Sequence, residues 1–217
     1  MKTYDVFFPE VLPEVPGCPP EMALQAIRNT VIEFCQKSLI HQVTLDPLTL
    51  VDNVCDYDLD SSSKDKQVVK VMKVFFKGQE IQPVAPDDII APDAYSRTVG
   101  GYEATKGPTK AYTQKDFDTI TFLPIPDQRY QNAITMRVAL APTRDSTQFE
   151  DFLFNTWGEL IACGAKARLM LNPGKPYTNQ DAASVNQMRY MTALNDARQR
   201  ATRGNVRSDL SVRMRAP

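Results

Sequence analysis

The chain has 217 residues, 42% of them hydrophobic, enough to build a core for one large domain or two small ones, which excludes disorder throughout. No run approaches the roughly 18 apolar residues that a bilayer span needs, and the opening MKTYDVFFPEVLPEVPG lacks the charged-then-apolar order of a signal peptide, so a soluble, unexported protein is expected. The net charge of −1 hides an uneven distribution, because Arg189 to Pro217 carries +5 and the preceding 188 residues carry −6.

In chain order, Gly17-Cys18-Pro19-Pro20-Glu21 reads as a turn into a helix, with proline in the first turn and a carboxylate near the positive end of the helix dipole. The helix is expected to run to Ser38, with Met22, Ala23, Ala26, Ile27, Thr30, Val31 and Phe34 forming one stripe at three-four spacing. From His41 to about Pro142 the pattern changes to short β-like runs divided by proline, glycine and aspartate. Gln67 to Lys77 is rich in valine and aromatics, Asp118 to Leu123 ends at Pro124-Ile125-Pro126, and Ile134 to Leu140 alternates as a half-buried strand. The connection from Ala94 to Lys115 is long, polar and glycine-containing, the character of a functional or flexible loop.

Helical periodicity returns after Asp145-Ser146-Thr147, which offers several N-caps, and continues to Leu171. Phe149, Phe152, Leu153, Trp157, Leu160, Ile161, Gly164, Ala165 and Leu169 give it a broad apolar face, and Gly164-Ala165 allows another backbone to approach closely. Asn172-Pro173-Gly174-Lys175-Pro176 stops this helix, and Asn179 or Asp181 starts a third that runs to Arg203, with a thinner face of Val185, Met188, Met191 and Leu194 extending to Ala201. The tail NVRSDLSVRMRAP has too few apolar groups to fold alone, but Leu210, Val212 and Met214 alternate with Ser211, Arg213 and Arg215. If extended, it presents an apolar edge and a basic edge, which suits strand addition or groove docking.

Chemistry-bearing motifs are sparse. The single histidine, His41, falls at a helix-to-strand junction without a nucleophile elbow, so no catalytic role is expected. Asp56-Tyr57-Asp58-Leu59-Asp60 resembles half a calcium loop, but Ser61 stands where glycine is required and Gln67 where a bidentate glutamate belongs, leaving a solvated acidic turn. Val99-Gly100-Gly101-Tyr102 and Lys106-Gly107-Pro108 lack the ending of a phosphate loop and read as flexible loop. Cys18, Cys35, Cys55 and Cys163 stand singly, as reduced core residues do, and no metal or cofactor is expected.

The arginine-rich end points to a polyanion or an acidic protein surface as its partner. Protein docking is favoured, through bidentate arginine–carboxylate pairs, because an apolar edge would be wasted on a phosphate backbone. The docking set is Arg198, Arg200, Arg203, Arg207, Leu210, Val212, Arg213, Met214 and Arg215. A basic-armed DNA-binding or packaging protein is the alternative, and salt-dependent DNA affinity separates the two.

Three stretches together resemble the adaptor (head-to-tail connector) proteins of tailed phages. They are VLPEVPGCPPEMALQAIRNTVIEFCQKS at 11–38, WGELIACGAKARLMLNPGKPYTN at 157–179, and NQMRYMTALNDARQRATRG at 186–204 with its LSVRMRAP end. The middle, 41–142, is similar more loosely, mainly in FLPIPDQRYQNAITMRVALAP. The resemblance implies a non-enzymatic ring subunit, typically a dodecamer, seated beneath the portal of the capsid and joined to a tail or nozzle protein. Genome DNA would pass through its lumen without sequence-specific binding. It also implies a place in the virion after synthesis in the host cytoplasm, no membrane partner, and a docking tail from Arg203 to Pro217; a tail-side neck or tail-completion protein differs only in the partner touched. The expected fold is α+β, a helical bundle of 17–38, 146–171 and 179–203 with an inserted β-rich domain and an extended C-terminal tail. Its segments would be 1–40, 41–145, 146–204 and 205–217.

Overall fold

A computed structural model describes residues 1–61, 63–85, 89–90, 98–99, 106–116 and 118–204. The fold is mixed α and β, and it divides into two compact units, one made of Met1–Ile40 and Glu150–Pro217 and the other of His41–Phe149. Of the loop expected at 94–115, residues 94–97 and 100–105 lie outside the described residues, as does the whole tail 205–217, while Ala111–Asp116 is a strand rather than loop because it pairs with Thr119–Leu123.

The first unit is built on three helices. Helix α1 spans Pro20–Ser38, with Pro20 at its first position, where a missing N–H costs nothing, and it ends where Leu39 turns left-handed and donates its N–H to Cys35 O. Ala23, Ala26, Ile27, Thr30, Val31 and Phe34 are buried as the stripe predicts, while Met22 at its edge is half-buried. Helix α2 spans Asp151–Met170 and is buried on most of its circumference, the pattern of a central helix, and it packs against both α1 and the third helix. It starts later than expected. Gln148–Phe149 is extended, so Phe149 is buried outside the helix; Glu150 is the N-cap; and the Ser146 hydroxyl is occupied by Thr143 O at 2.8 Å. Helix α3 spans Gln180–Arg203 and is capped by the Asn179 side chain, which accepts from the Ala182 N–H at 3.1 Å.

Short helical turns between Tyr4 and Glu14 bury Tyr4, Phe7 and Val11, and the Phe7 ring meets Phe154 of α2 edge-on at 5.1 Å.

The second unit holds a two-stranded ribbon, Ile89–Ile90 paired with Thr98–Val99, and two larger sheets. The strands of the larger sheets are β1 Gln42–Thr44, β2 Leu48–Leu50, β3 Asp56–Asp58, β4 Lys66–Phe76, β5 Gln79–Glu80, β6 Gln82–Pro83, β7 Ala111–Asp116, β8 Thr119–Leu123 and β9 Tyr130–Pro142. One sheet has the order β1-β9-β4-β5 with β2 also on β9, and the other has the order β3-β8-β7-β6, in which only β7 and β6 run parallel. Val68, Val71, Val74, Ile134, Met136 and Val138 from the first sheet share one core with Tyr112, Ile120 and Phe122 from the second.

From Val68 to Val74 strand β4 reaches that core at every third residue rather than every second, and alternation resumes only at Phe76. Its register against β9 slips twice, leaving Val69 and Met72 as bulged residues, and each slip returns the next valine to the inner face and the next lysine to the outer. The β4–β5 hairpin turns on Lys77 and Gly78, both at positive φ, as a two-residue turn between right-twisted strands requires.

Candidate protein-docking surface

Helix α3 departs most from its sequence reading. The side chains it buries are Ala183, Asn186, Tyr190, Ala193, Leu194 and Ala197. Val185, Met188 and Met191, expected on the inner face, are 54%, 72% and 41% exposed, so of that set only Leu194 faces inward with the helix pair. The reason lies on α2. Gly164 has no side chain, and the space above it is filled by Tyr190 and Thr30, whose nearest carbons stand 2.7 Å from where a Cβ would be. Tyr190 also tilts against Phe34 at 6.2 Å between ring centres. A large aromatic over a glycine, flanked by alanines, packs α3 more closely than two methionines would.

The outer face of α3 therefore carries apolar side chains at one-turn spacing, and its C-terminal end carries Arg198, Arg200 and Arg203, all exposed. Cations in the last turn face the negative end of the helix dipole. The three are not equivalent. The Arg200 guanidinium lies over the Trp157 indole at 5.0 Å, a cation–π contact that fixes it to its own chain. Arg198 and Arg203 have no ion pair among the described residues. The helix closes at Gly204, whose N–H donates to Arg200 O at 2.8 Å. Arg207, Leu210, Val212, Arg213, Met214 and Arg215 lie outside the described residues.

Beneath this surface the helices are tied by charged groups that nothing in the sequence pattern picks out. Lys166 is 7% exposed, and its ammonium meets Glu14 Oε1 at 2.7 Å. Burial pushes the nearby Glu10 carboxyl above its ordinary range, although Lys166 pulls the other way. For Glu33 burial raises the pKa, but hydrogen bonds from Lys37 and Arg168 outweigh it and hold the carboxyl below its ordinary value. Trp157 is buried against Phe34 with ring centres 5.6 Å apart. Cys18, Cys35 and Cys163 are buried and Cys55 half-buried, all as free thiols, and burial pushes Cys35 up to about 12.

The remaining sequence candidates occupy ordinary structural positions. His41 is buried just before β1, and its carbonyl accepts from Leu140 N–H at 2.8 Å. Asp56 and Asp58 lie in strand β3 rather than in a turn, and Asp56 accepts from the Thr121 hydroxyl at 2.7 Å. Gly107 donates its N–H to Ile125 O at 2.9 Å, while Gly100 and Gly101 lie outside the described residues. Among the described residues no group of three or more His, Cys, Asp or Glu is placed to hold a metal. An open cleft of about 180 Å³ between α1 and the end of α2 is lined by Met22, Asn29, Arg168, Leu169 and Asn172 among others, with no acid, thiol or imidazole in its wall. No helix of the described residues is long and apolar enough to cross a membrane.

The chain matches no family model and no curated protein.

Proposed function

We propose that this chain is a structural subunit of a tailed-phage virion, an adaptor that forms a ring between the capsid portal and the tail or nozzle and leaves a conduit for the genome. In this reading the three helices are a bundle, residues 41–145 are its β-rich insertion, and Asn205 to Pro217 is an extended tail that docks on the portal. The reading draws its family from the order of the three resembling stretches, and its chemistry from a surface made for partners rather than reactants.

One observation carries it. Helix α3 turns Ala183, Tyr190, Ala193 and Ala197 inward and leaves Val185, Met188 and Met191 in solvent, and its arginine-bearing end leads directly into the basic tail. A contiguous apolar stripe bordered by cations is the composition of a protein-docking face.

The test is assembly. Purified full-length chain mixed with portal rings should add a second stacked ring in electron micrographs, and a chain ending at Gly204 should remain folded yet add none. A truncated chain that still forms the stacked ring overturns the role of the tail. A full-length chain that adds no ring, but shifts duplex DNA in a strongly salt-dependent manner, overturns the adaptor reading in favour of a DNA-binding arm.

A further inference from the structure

The two outer faces of the His41–Phe149 unit carry opposite charge. In the five-stranded sheet Thr44, Arg137 and Lys73 stand in register on neighbouring strands, and Lys70 is brought to the same face by the bulge at Met72. Arg137, Lys73 and Lys70 are exposed, while Val71, Val74 and Val138 point the other way into the core. Side chains registered across two strands have their Cβ atoms about 5 Å apart, so the pair of Arg137 and Lys73 is repulsive. One carboxylate answers it, Glu80 at 3.1 Å from the Lys73 ammonium; Lys70 and Arg137 have no ion pair among the described residues. Folding gains nothing from that arrangement, and an anionic partner would relieve it.

The four-stranded sheet presents the complement. Asp58, Thr119 and Asp116 are in register across β3, β8 and β7, and Asp56 shares their face. Tyr57 and Ile120 alternate with them and pack into the core, so the carboxylates face outward and are exposed. Both sheets close on the same core. The cationic and anionic groups therefore lie on opposite sides of one sandwich, each on the exposed part of a face that is closed elsewhere, over Ala139 and Ala141 on one side and over Ala111, Thr113, Thr121 and Leu123 on the other, and they can meet only between copies.

We propose that the cationic face of one copy receives the anionic face of the next, a head-to-tail contact; this deepens, and rests on, the ring-subunit reading. A contact between unlike patches of identical chains propagates, closing into a ring where the rotation per copy allows it. A second copy fits better than nucleic acid, since residues 41–149 hold twelve basic and fifteen acidic side chains and a polyanion would be met by net repulsion away from the one face.

The test uses the full chain in sedimentation velocity at about 0.15 M and about 1 M salt, where the screening length falls from about 8 Å to about 3 Å. Wild type should self-associate at the lower salt and approach the 24.4 kDa monomer at the higher. Lys73→Glu with Arg137→Glu, and separately Asp58→Lys with Asp116→Lys, should each weaken association at least about tenfold. All four changes in one chain should restore it. Should a reversal impair folding, judged by circular dichroism, Lys73→Gln with Arg137→Gln serves in its place and should weaken association in the same direction. One-sided variants that associate as wild type overturn these surfaces and leave the ring reading standing on its stacked ring with the portal. A wild type that stays monomeric overturns the head-to-tail contact, again without touching that separate experiment. Duplex DNA binding that is lost on Lys73→Glu with Arg137→Glu, with association unchanged, assigns the face to a polyanion and overturns the second copy as its partner.

Discussion

Gly164 illustrates how a missing side chain decides the position of a helix. Thr30 of α1 and Tyr190 of α3 both come within 2.7 Å of the place its Cβ would occupy, so three helices converge on a residue that must stay small. Gly164→Ala gains helix propensity, worth roughly 1 kcal/mol in an unstrained helix. It loses more, because an aromatic ring held between Phe34 and the glycine has no free direction in which to yield. Overpacking of this kind costs about 1–3 kcal/mol, and urea unfolding should show a net loss of stability with an unchanged slope. An alanine variant as stable as wild type would mean that Tyr190 is not fixed over the glycine. Close approach does occur at Gly164, but not by the backbone that the sequence leads one to expect. Its agents, a tyrosine ring and a threonine methyl rather than a backbone, are set by partners too far away in the chain for periodicity to reveal.

At the scale of elements, the exposed stripe of α3 makes a prediction that separates folding from docking. Met188→Gln and Val185→Thr change side chains that are mostly in solvent, so the stability of the isolated chain should move by no more than about 0.5 kcal/mol. On the adaptor reading proposed above, addition of a ring to the portal should fall sharply, because side chains at the desolvated centre of an interface carry most of its energy. A fall in melting temperature with assembly intact would return the stripe to the core. The same helix marks the limit of what hydropathy could reveal. Its extent, Gln180–Arg203, follows from its caps and stop signals, but a ranking that sets methionine and valine above alanine chose the wrong face. Helix α1 escaped the error because its large side chains, Ile27, Val31 and Phe34, are also its buried ones. Strand β4 shows a different limit: a three-residue repeat of valines suits neither a strand nor a helix, and only the two register slips against β9 make it one face. Of the docking set, Arg198, Arg200 and Arg203 were legible as exposed cations at a helix end, whereas the stacking of Arg200 on Trp157 needs the two helices side by side.

For the whole molecule the organisation into units has a direct consequence. His41–Phe149 is continuous in sequence and owns a core drawn from both of its larger sheets, whereas the helical unit is drawn from two separate segments. Expressed alone, residues 41–149 should fold and unfold in a single cooperative transition, measured by far-ultraviolet circular dichroism during heating. Residues 1–40 alone should stay largely unfolded, since most of the buried face of α1 is covered by α2 and α3 and the short turns at Tyr4–Val11 cover only a part of it. A soluble, structured 1–40 peptide would contradict that dependence. A change of pattern near His41 and again after Pro142 made the alternation of helical and β-rich stretches visible in the sequence. The unit boundary at Phe149 was less visible, because Phe149 joins the apolar run of α2 without a break in composition.

The division also sets an order in time. A ribosome adds about 5–20 residues per second, so the roughly 110 residues between α1 and α2 take on the order of 5–20 s to emerge, and throughout that interval α1 exists without the helices that cover it. Helix α1 is thus made well before the helices that bury most of it. The nascent chain must carry Ile27, Val31 and Phe34 uncovered past a β unit that is already assembling, and a factor that shields apolar nascent segments would act on this protein in that window, before its own C-terminal half arrives to take over.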